Sequence, residues 1–332
     1  MRPVKISVAM CTYNGADFLS AQLESIITQL RPPDEIVVCD DGSTDETQTL
    51  LEGFATESPV PVSIRINEKT LGSIKNFEQA IGLCSGDAIA LSDQDDIWRS
   101  DKLQLIEKSF AKAPKAGLVF SDAEIVEEDL NSSGRKMWDE VGFDQHKRKL
   151  VRQGRALEVL ITGWTVTGAT MAFRSKFRKL SLPIPDGIAM IHDGWIALTV
   201  ASVADVVMIE EPLIKYRQHG KQQIGAPMRA NAAADQPDPI QALETAFRRN
   251  NSSADLHKIL ATLEERLLAQ SSSHNTRNAL RFVGDYSFHL NVRANLPRKR
   301  LNRLPRILRE LLTLRYHEYA NGFKSAAKDL VS

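Results

Sequence analysis

The sequence predicts an α/β fold: a mostly parallel sheet flanked by helices, followed by a helical C-terminal region. Three observations carry this. Short apolar, β-rich runs alternate with helical-period segments over the first 127 residues. Three of those runs end in polar clusters, as strands of an open parallel sheet do on their ligand-binding edge. From Ile240 onward the pattern is helical.

Ile6 to Cys11 is the first predicted strand, and Ala16 to Leu30 the first helix, with Phe18, Leu19, Leu23, Ile26, Ile27 and Leu30 at helical spacing. Pro32-Pro33 breaks it. Glu35 to Cys39 is a second strand, ending in Asp40-Asp41-Gly42. Ser43 with Glu46 makes a capping box, so a helix is expected to start there. Val62 to Ile66 reads as a strand, Ser73 to Cys84 as a helix, and Asp87 to Leu91 as a strand. Leu118 to Phe120 begins another. Residues 128–155 read as an irregular polar connection, Glu158 to Phe173 and Val206 to Tyr216 as β-rich runs, with a helix after His192 between them. The expected organisation is an α/β domain over 1–226, in two parts at 1–127 and 128–226. A linker at 227–239 and a helical region at 240–332 complete the chain.

The chain has 332 residues and a formal net charge of zero, unevenly distributed. Residues 241–332 hold 16 Lys+Arg against 8 Asp+Glu, a net of +8, which leaves −8 for residues 1–240. The split points to an acidic, metal-using front and a basic rear facing something anionic. Three cysteines, all in apolar surroundings or near a helix end, suit a reducing cytoplasm rather than a disulfide framework. No signal peptide is expected, because Met1-Arg2-Pro3-Val4-Lys5 leads straight into a strand. Leu157 to Phe173 is too short and too rich in Gly and Thr for a membrane span.

Asp93, Asp95 and Asp96 put three carboxylates into four residues after a buried strand. Crowded like charges need a cation or strong hydrogen bonds, and hard oxygen ligands suit Mg²⁺ or Mn²⁺. A solvated, helix-capping loop is the alternative; an EF-hand lacks its glycine and glutamate. Asp40-Asp41 is either a turn or a pair of acceptors for a base or ribose. His192-Asp193 opens a helix, where an aspartate either caps it or faces the site as a general base. Tyr216-Arg217-Gln218-His219-Gly220 ends a strand with a cation and an imidazole, fit for phosphate or metal or simply for a surface loop.

Together these segments resemble the family-2 glycosyltransferases of the GT-A fold. The matching pieces stand in family order: Val8 to Gly15, Glu35 to Asp45, Ala90 to Trp98, Thr167 to Met171, His192-Asp193 and Tyr216 to Gly220. The resemblance reaches about residue 226; residues 240–332 match nothing diagnostic. It implies that Thr12 and Tyr13 line a nucleoside pocket with Asn14 beside them, and that Asp41 holds the base or ribose with Asp40 alongside. Asp93 approaches the ribose, Gln94 stands between the motif's two acids, and Asp95 ligates a Mn²⁺ or Mg²⁺ that bridges the donor diphosphate. His219 is a metal or diphosphate contact, Arg217 a phosphate contact, and Lys75 lies where relatives often have an arginine. Asp193 matches the catalytic base, with His192 where many members carry Glu, and Gly168, His192 and Trp195 fall on the acceptor side.

The implied reaction is inverting, with Asp193 activating an acceptor hydroxyl. The wording of the Ser92 to Trp98, His192-Asp193 and Tyr216 to His219 segments is similar to the bacterial rhamnosyltransferase branch. That implies dTDP-L-rhamnose as donor with UDP-hexoses as competitor, and a glycan or lipid-linked glycan as acceptor in surface polysaccharide (O-antigen) synthesis. The expected location is cytoplasmic, with residues 290–316 either at the inner membrane face or packed on the catalytic domain with solvated arginines. Nucleic acid is not expected, since the basic residues lack interleaved aromatics. Two other readings are a nucleotidyltransferase, for which Thr12 to Gly15 supplies no phosphate loop, and a binding module without catalysis.

Overall fold

The computed structural model describes residues 3–220, 222, 253–270, 273–320 and 322–331. The expected linker at 227–239 lies outside them. The chain forms two compact units, Met1–Asp186 with Met190–Ala246, and Gly187–Ala189 with Phe247–Ser332.

The first unit opens with β1 (Ile6–Thr12), α1 (Ala16–Ile27), β2 (Glu35–Asp40), α2 (Thr47–Glu57), β3 (Val62–Ile66), α3 (Ser73–Leu83) and β4 (Ala88–Ser92). The four strands lie in the order β3-β2-β1-β4, all parallel. β4 is buried along its whole length and β1 nearly so, which is why both read as continuous apolar runs rather than alternating ones. α1 buries Phe18, Leu19, Gln22, Leu23 and Ile26 on one stripe.

Next come β5 (Ile97–Trp98), α4 (Lys102–Lys112), β6 (Ala116–Val126), β7 (Ser132–Lys136), α5 (Met137–Glu140), α6 (Gln145–Arg152), α7 (Ala156–Leu160), β8 (Met171–Arg174), α8 (Arg178–Ser181), α9 (His192–Ala201) and β9 (Asp205–Arg217). The sheet continues β4-β8-β6-β9-β5, with β7 on β6. β8 runs antiparallel between β4 and β6, and β9 is parallel to β6. The two-residue β5 pairs antiparallel with the end of β9, Ile97 opposite Lys215 and Trp98 opposite Ile214. That pairing sets the Asp93–Asp96 turn against Arg217 and His219.

Several expectations are corrected. α2 starts at Thr47, and Ser43 is not its cap. The Ser43 hydroxyl instead donates to Asp40 and accepts from the Asn14 N–H, tying the ends of β1 and β2 together. α1 ends at Ile27, leaving Leu30 exposed. Residues 128–155 are not irregular but hold β7, α5 and α6. The run from Glu158 to Phe173 is strand only at its end; Ala156, Val159 and Leu160 are the buried face of α7. A short apolar run fits a buried helix turn as well as a strand, so period alone did not separate them.

The described residues of the second unit are helical: α10 (Ser253–Leu268), α11 (His274–Ala294), α12 (Leu304–Leu312), α13 (Arg315–Tyr319) and α14 (Phe323–Val331). Ser273 caps α11 by accepting from the Thr276 N–H. A small core of Ile307, Tyr316 and Ala326 joins the last three helices. No helix of the described residues is long and apolar enough to cross a membrane.

Candidate active site

The carboxyl ends of β1, β2 and β4 meet at one edge of the sheet, as the sequence pattern requires. Beside them is a cleft of about 160 Å³. It is lined by Thr12, Tyr13, Asp41, Asp93, Gln94 and Asp95 from the strand ends, and by Gly168, His192 and Asp193.

The three acids of the turn are placed differently. Asp95 Oδ2 lies 2.9 Å from His219 Nε2. Phe18 supports this contact from α1, its ring 4.3 Å from the His219 ring and 4.8 Å from the Arg217 guanidinium. Asp96 points inward and accepts the Arg217 N–H at 3.2 Å, while its second oxygen is buried without a partner. Burial, then the charges of Asp95 and Asp93, hold Asp96 well above the usual carboxylate range. Asp93 faces the cleft, and burial, Asp95 and Asp193 raise it to about 7.

Below the turn sits a buried cation. The Lys102 ammonium is 3.5 Å from the Trp98 ring centroid and donates to the Ala169 carbonyl at 2.6 Å. Burial pulls it down to about 7, against the attraction of Asp96 and Asp93.

Asp93 and Asp95 both line the cleft, and an Asp95 oxygen meets an imidazole, so these are the donors a divalent cation could use. Among the described residues no group of three or more His, Cys, Asp or Glu side chains is placed to hold a metal ion. Mg²⁺ and Mn²⁺ need only one or two carboxylates when substrate phosphates supply further oxygens.

Asp193, also lining the cleft, opens α9. Its Oδ2 accepts the Gly168 N–H at 2.9 Å and the Trp164 indole N–H at 3.3 Å, and its Oδ1 the Gly194 N–H at 2.6 Å. Burial pushes Asp193 up to about 6, while those donors pull it down. That range suits a group that takes a proton near neutral pH. The Gly168–Thr170 turn that orients Asp193 is itself held by Lys102 through Ala169. His192 stacks on Phe77 with ring centroids 4.1 Å apart, and burial drives it down to about 3, so it is neutral.

Other expected site residues are placed differently. Asp40 is fully buried, accepting from Thr12, Ser43 and Gln48, and does not line the cleft. Asn14 (φ 47°) accepts the Thr44 N–H and holds the neighbouring loop. Asp41 borders the cleft but accepts from Asn67 at 2.9 Å, Leu71 N–H at 2.7 Å and Gly72 N–H at 2.8 Å. Gln94 clasps the Tyr13 backbone in both directions, N–H to Oε1 at 2.8 Å and Nε2 to O at 3.1 Å. Arg217 spends its guanidinium on the Asp95 and Glu128 carbonyls. Lys75 pairs with Glu78 and Asp186 beside a separate surface groove. Trp195 is fully buried, its indole donating to the Ser181 carbonyl.

The cleft also includes Asn76, Thr167 and Tyr216, to which the sequence pattern gave no individual role, and Phe77, Trp164 and Ile191, which it did not single out. Trp164 had a signal: an aromatic with a polar edge inside a Gly- and Thr-rich segment that packs as neither helix nor strand.

The pattern described as Glycosyl transferase family 2 matches residues 7–180, just over half of the chain. The chain belongs to this family. An uncharacterized glycosyltransferase of Nostoc sp. is 27% identical over 65% of this chain and 66% of its own length. The dTDP-rhamnosyl transferase RfbG of Shigella flexneri is 39% identical over 99 residues, 29% of this chain and 34% of RfbG. The chain therefore spans about two thirds of the first relative and about a third of the second. Among solved structures, S. aureus TarS 1–349 in complex with UDP-GlcNAc superposes with a TM-score of 0.55 at 14% identity, covering 98% of this chain and 90% of that one. The mannosyltransferase PcManGT of Pyrobaculum calidifontis, in complex with GDP-Man and Mn²⁺, gives 0.50 at 18% identity over 88% and 87%. The fold of this family-2 chain is accordingly GT-A-like.

Proposed function

We propose that this family-2 chain transfers a sugar from a nucleotide-sugar to a glycan hydroxyl with inversion, in bacterial surface polysaccharide synthesis. One observation carries the reading: a single cleft is lined by the Asp93–Asp95 pair and by Asp193, which is raised to about 6 and whose charge also raises Asp93. The metal-holding role falls to Asp95 and the proton-taking role to Asp193. In domain terms, residues 1–127 form the nucleotide-binding half and 128–226 the acceptor half, from which His219 returns to Asp95, with 227–239 as the linker to the helical region at 240–332.

Asp95 and His219 would hold Mn²⁺ or Mg²⁺, which neutralises charge on the departing diphosphate. Tyr13 offers its ring to the nucleoside, and Gln94 fixes the Tyr13 backbone. Asp193 takes the proton of the acceptor hydroxyl. The acceptor oxygen forms its bond to the anomeric carbon on the face opposite the leaving group, whose electron pair departs with the nucleoside diphosphate. One displacement inverts the centre, and no enzyme nucleophile is needed.

The preferred donor is dTDP-L-rhamnose, supported by the likeness to the Shigella flexneri enzyme over 99 residues. A UDP-hexose is the second reading. It is favoured by a 32% likeness over 100 residues to the Escherichia coli UDP-Glc:alpha-D-GlcNAc-diphosphoundecaprenol beta-1,3-glucosyltransferase WfgD. That relative also supports a lipid-linked acceptor. A calorimetric panel of dTDP-, UDP- and GDP-sugars with Mn²⁺, Mg²⁺ or chelator tests the proposal. Metal-dependent binding led by dTDP-rhamnose is expected; equal, metal-independent responses to every nucleotide would overturn it.

A further inference from the structure

The C-terminal unit carries an apolar row that its own core leaves uncovered. Leu304, Leu308 and Leu312 follow at four-residue steps along α12 and so fall on one line of the helix. They are 42%, 48% and 85% exposed, and Leu301, in the turn before, is 86% exposed. The inward side is filled separately. Ile307 is buried with Tyr316 and Ala326, Leu311 packs against them, and Glu310 turns in to meet His289 Nδ1 at 2.8 Å. The leucines of residues 301–312 thus lie on two faces, of which packing consumes one.

Charge follows the same division. Residues 295–312 hold six cations, Arg298, Lys299, Arg300, Arg303, Arg306 and Arg309, and one acid, the buried Glu310. Arg303 donates to the Pro297 and Asp329 carbonyls. The other five are exposed, and none forms an ion pair with a described acid. By the 3.6-residue turn, Arg309 borders the leucine row, while Arg306 lies further round α12 and donates to the Asn295 carbonyl.

From an uncovered leucine row bordered by uncompensated cations, we infer that residues 298–312 seat on an anionic lipid surface. The leucines enter the boundary between headgroups and acyl chains, and the Lys and Arg side chains reach lipid phosphates. A second copy of this chain is a poorer occupant, because a two-fold contact through this face sets its guanidinium groups against their own kind. The inference rests on the surface of α12 and is independent of the chemistry assigned to the cleft.

Sedimentation of the full chain with vesicles tests it, using pure phosphatidylcholine and phosphatidylcholine with about one third phosphatidylglycerol. The expected result is binding to the anionic vesicles alone, weakened at least about tenfold when salt rises from 0.1 to 0.5 M. A similar loss is expected in the combined Leu304→Ser, Leu308→Ser, Leu312→Ser variant and in Arg298→Glu, Arg300→Glu, Arg309→Glu. Leu268→Ser, at another exposed leucine (68%), is expected to bind as the unaltered chain does. Circular dichroism melting shows that each variant is folded. Absence of vesicle binding, or binding indifferent to both triple variants, overturns the inference. So does a dimer in light scattering that the leucine variant converts to monomer. Nucleotide binding on the same samples distinguishes failure of this inference from failure of the glycosyltransferase reading.

Discussion

His219 Nε2 meets the Asp95 carboxylate at 2.9 Å, across 124 positions of sequence. The contact exists because β5 pairs with the end of β9, which brings the last motif of the catalytic region back to the acidic turn. If this pair holds the cation, Asp95→Asn and His219→Ala each lower Mn²⁺-dependent affinity for UDP or dTDP by about 10–100-fold. Metal-free affinity stays unchanged. Calorimetry with and without Mn²⁺ reads both, and wild-type metal dependence in either variant contradicts the assignment.

Gln94 is expected to act by holding Tyr13 rather than by touching sugar. A Cβ on Gly15 would lie 2.1 Å from Gln94 Oε1, so Gly15→Ala must displace that side chain. Gly15→Ala and Gln94→Ala should each weaken nucleotide binding about tenfold, and the double variant no more than either single one. Additive losses in the same titrations would mean that the two residues act separately.

Lys102→Met removes the cation beneath Asp93 and Asp96 and leaves the Ala169 carbonyl without its donor. A loss of about 2 kcal/mol is expected, mostly from the unsatisfied buried groups. Urea unfolding measures it, and an unchanged midpoint would show that the ammonium is dispensable.

His192 gives a pH signature. Its pKa is about 3 in the fold, below the ordinary value of 6.5, so the unfolded chain binds its proton more readily. The stability it contributes is present above about pH 6.5 and lost as the pH falls toward 3, at roughly 1.4 kcal/mol per pH unit. His192→Phe should keep the stack on Phe77 and flatten that part of the acid unfolding profile. Nitrogen NMR of the imidazole should show no titration between pH 5 and 8. A midpoint near 6.5 would contradict the burial argument.

The first 127 residues were legible in the sequence because their signals are local. Fully buried parallel strands appear as unbroken apolar runs, and the polar residues after them must fall on one edge. What escaped depends on contacts distant in sequence. Nothing in Asp40-Asp41 says that the first carboxylate locks Thr12 and Ser43 while the second borders the cleft. Ser43 and Glu46 have capping-box spacing, yet the Asp40 carboxylate claims the serine. Lys75, a free-looking cation in sequence, is engaged by Glu78 and Asp186. Trp195, expected on the acceptor side, is fully buried in a helix that is itself buried over most of its length, and its indole goes to the Ser181 carbonyl.

The most direct test of the account is the pH dependence of sugar transfer, followed as nucleoside diphosphate release in the presence of acceptor glycan, for the wild type and Asp193→Asn. With Asp193 raised to about 6 and active only when deprotonated, log kcat/KM should climb with unit slope as the pH approaches 6 and level off above 7. Asp193→Asn should bind the donor as the wild type does and transfer about 10²–10⁴-fold more slowly, without that inflection. Transfer at the wild-type rate, or an unaltered pH profile in Asp193→Asn, would contradict the assignment of Asp193 as the base.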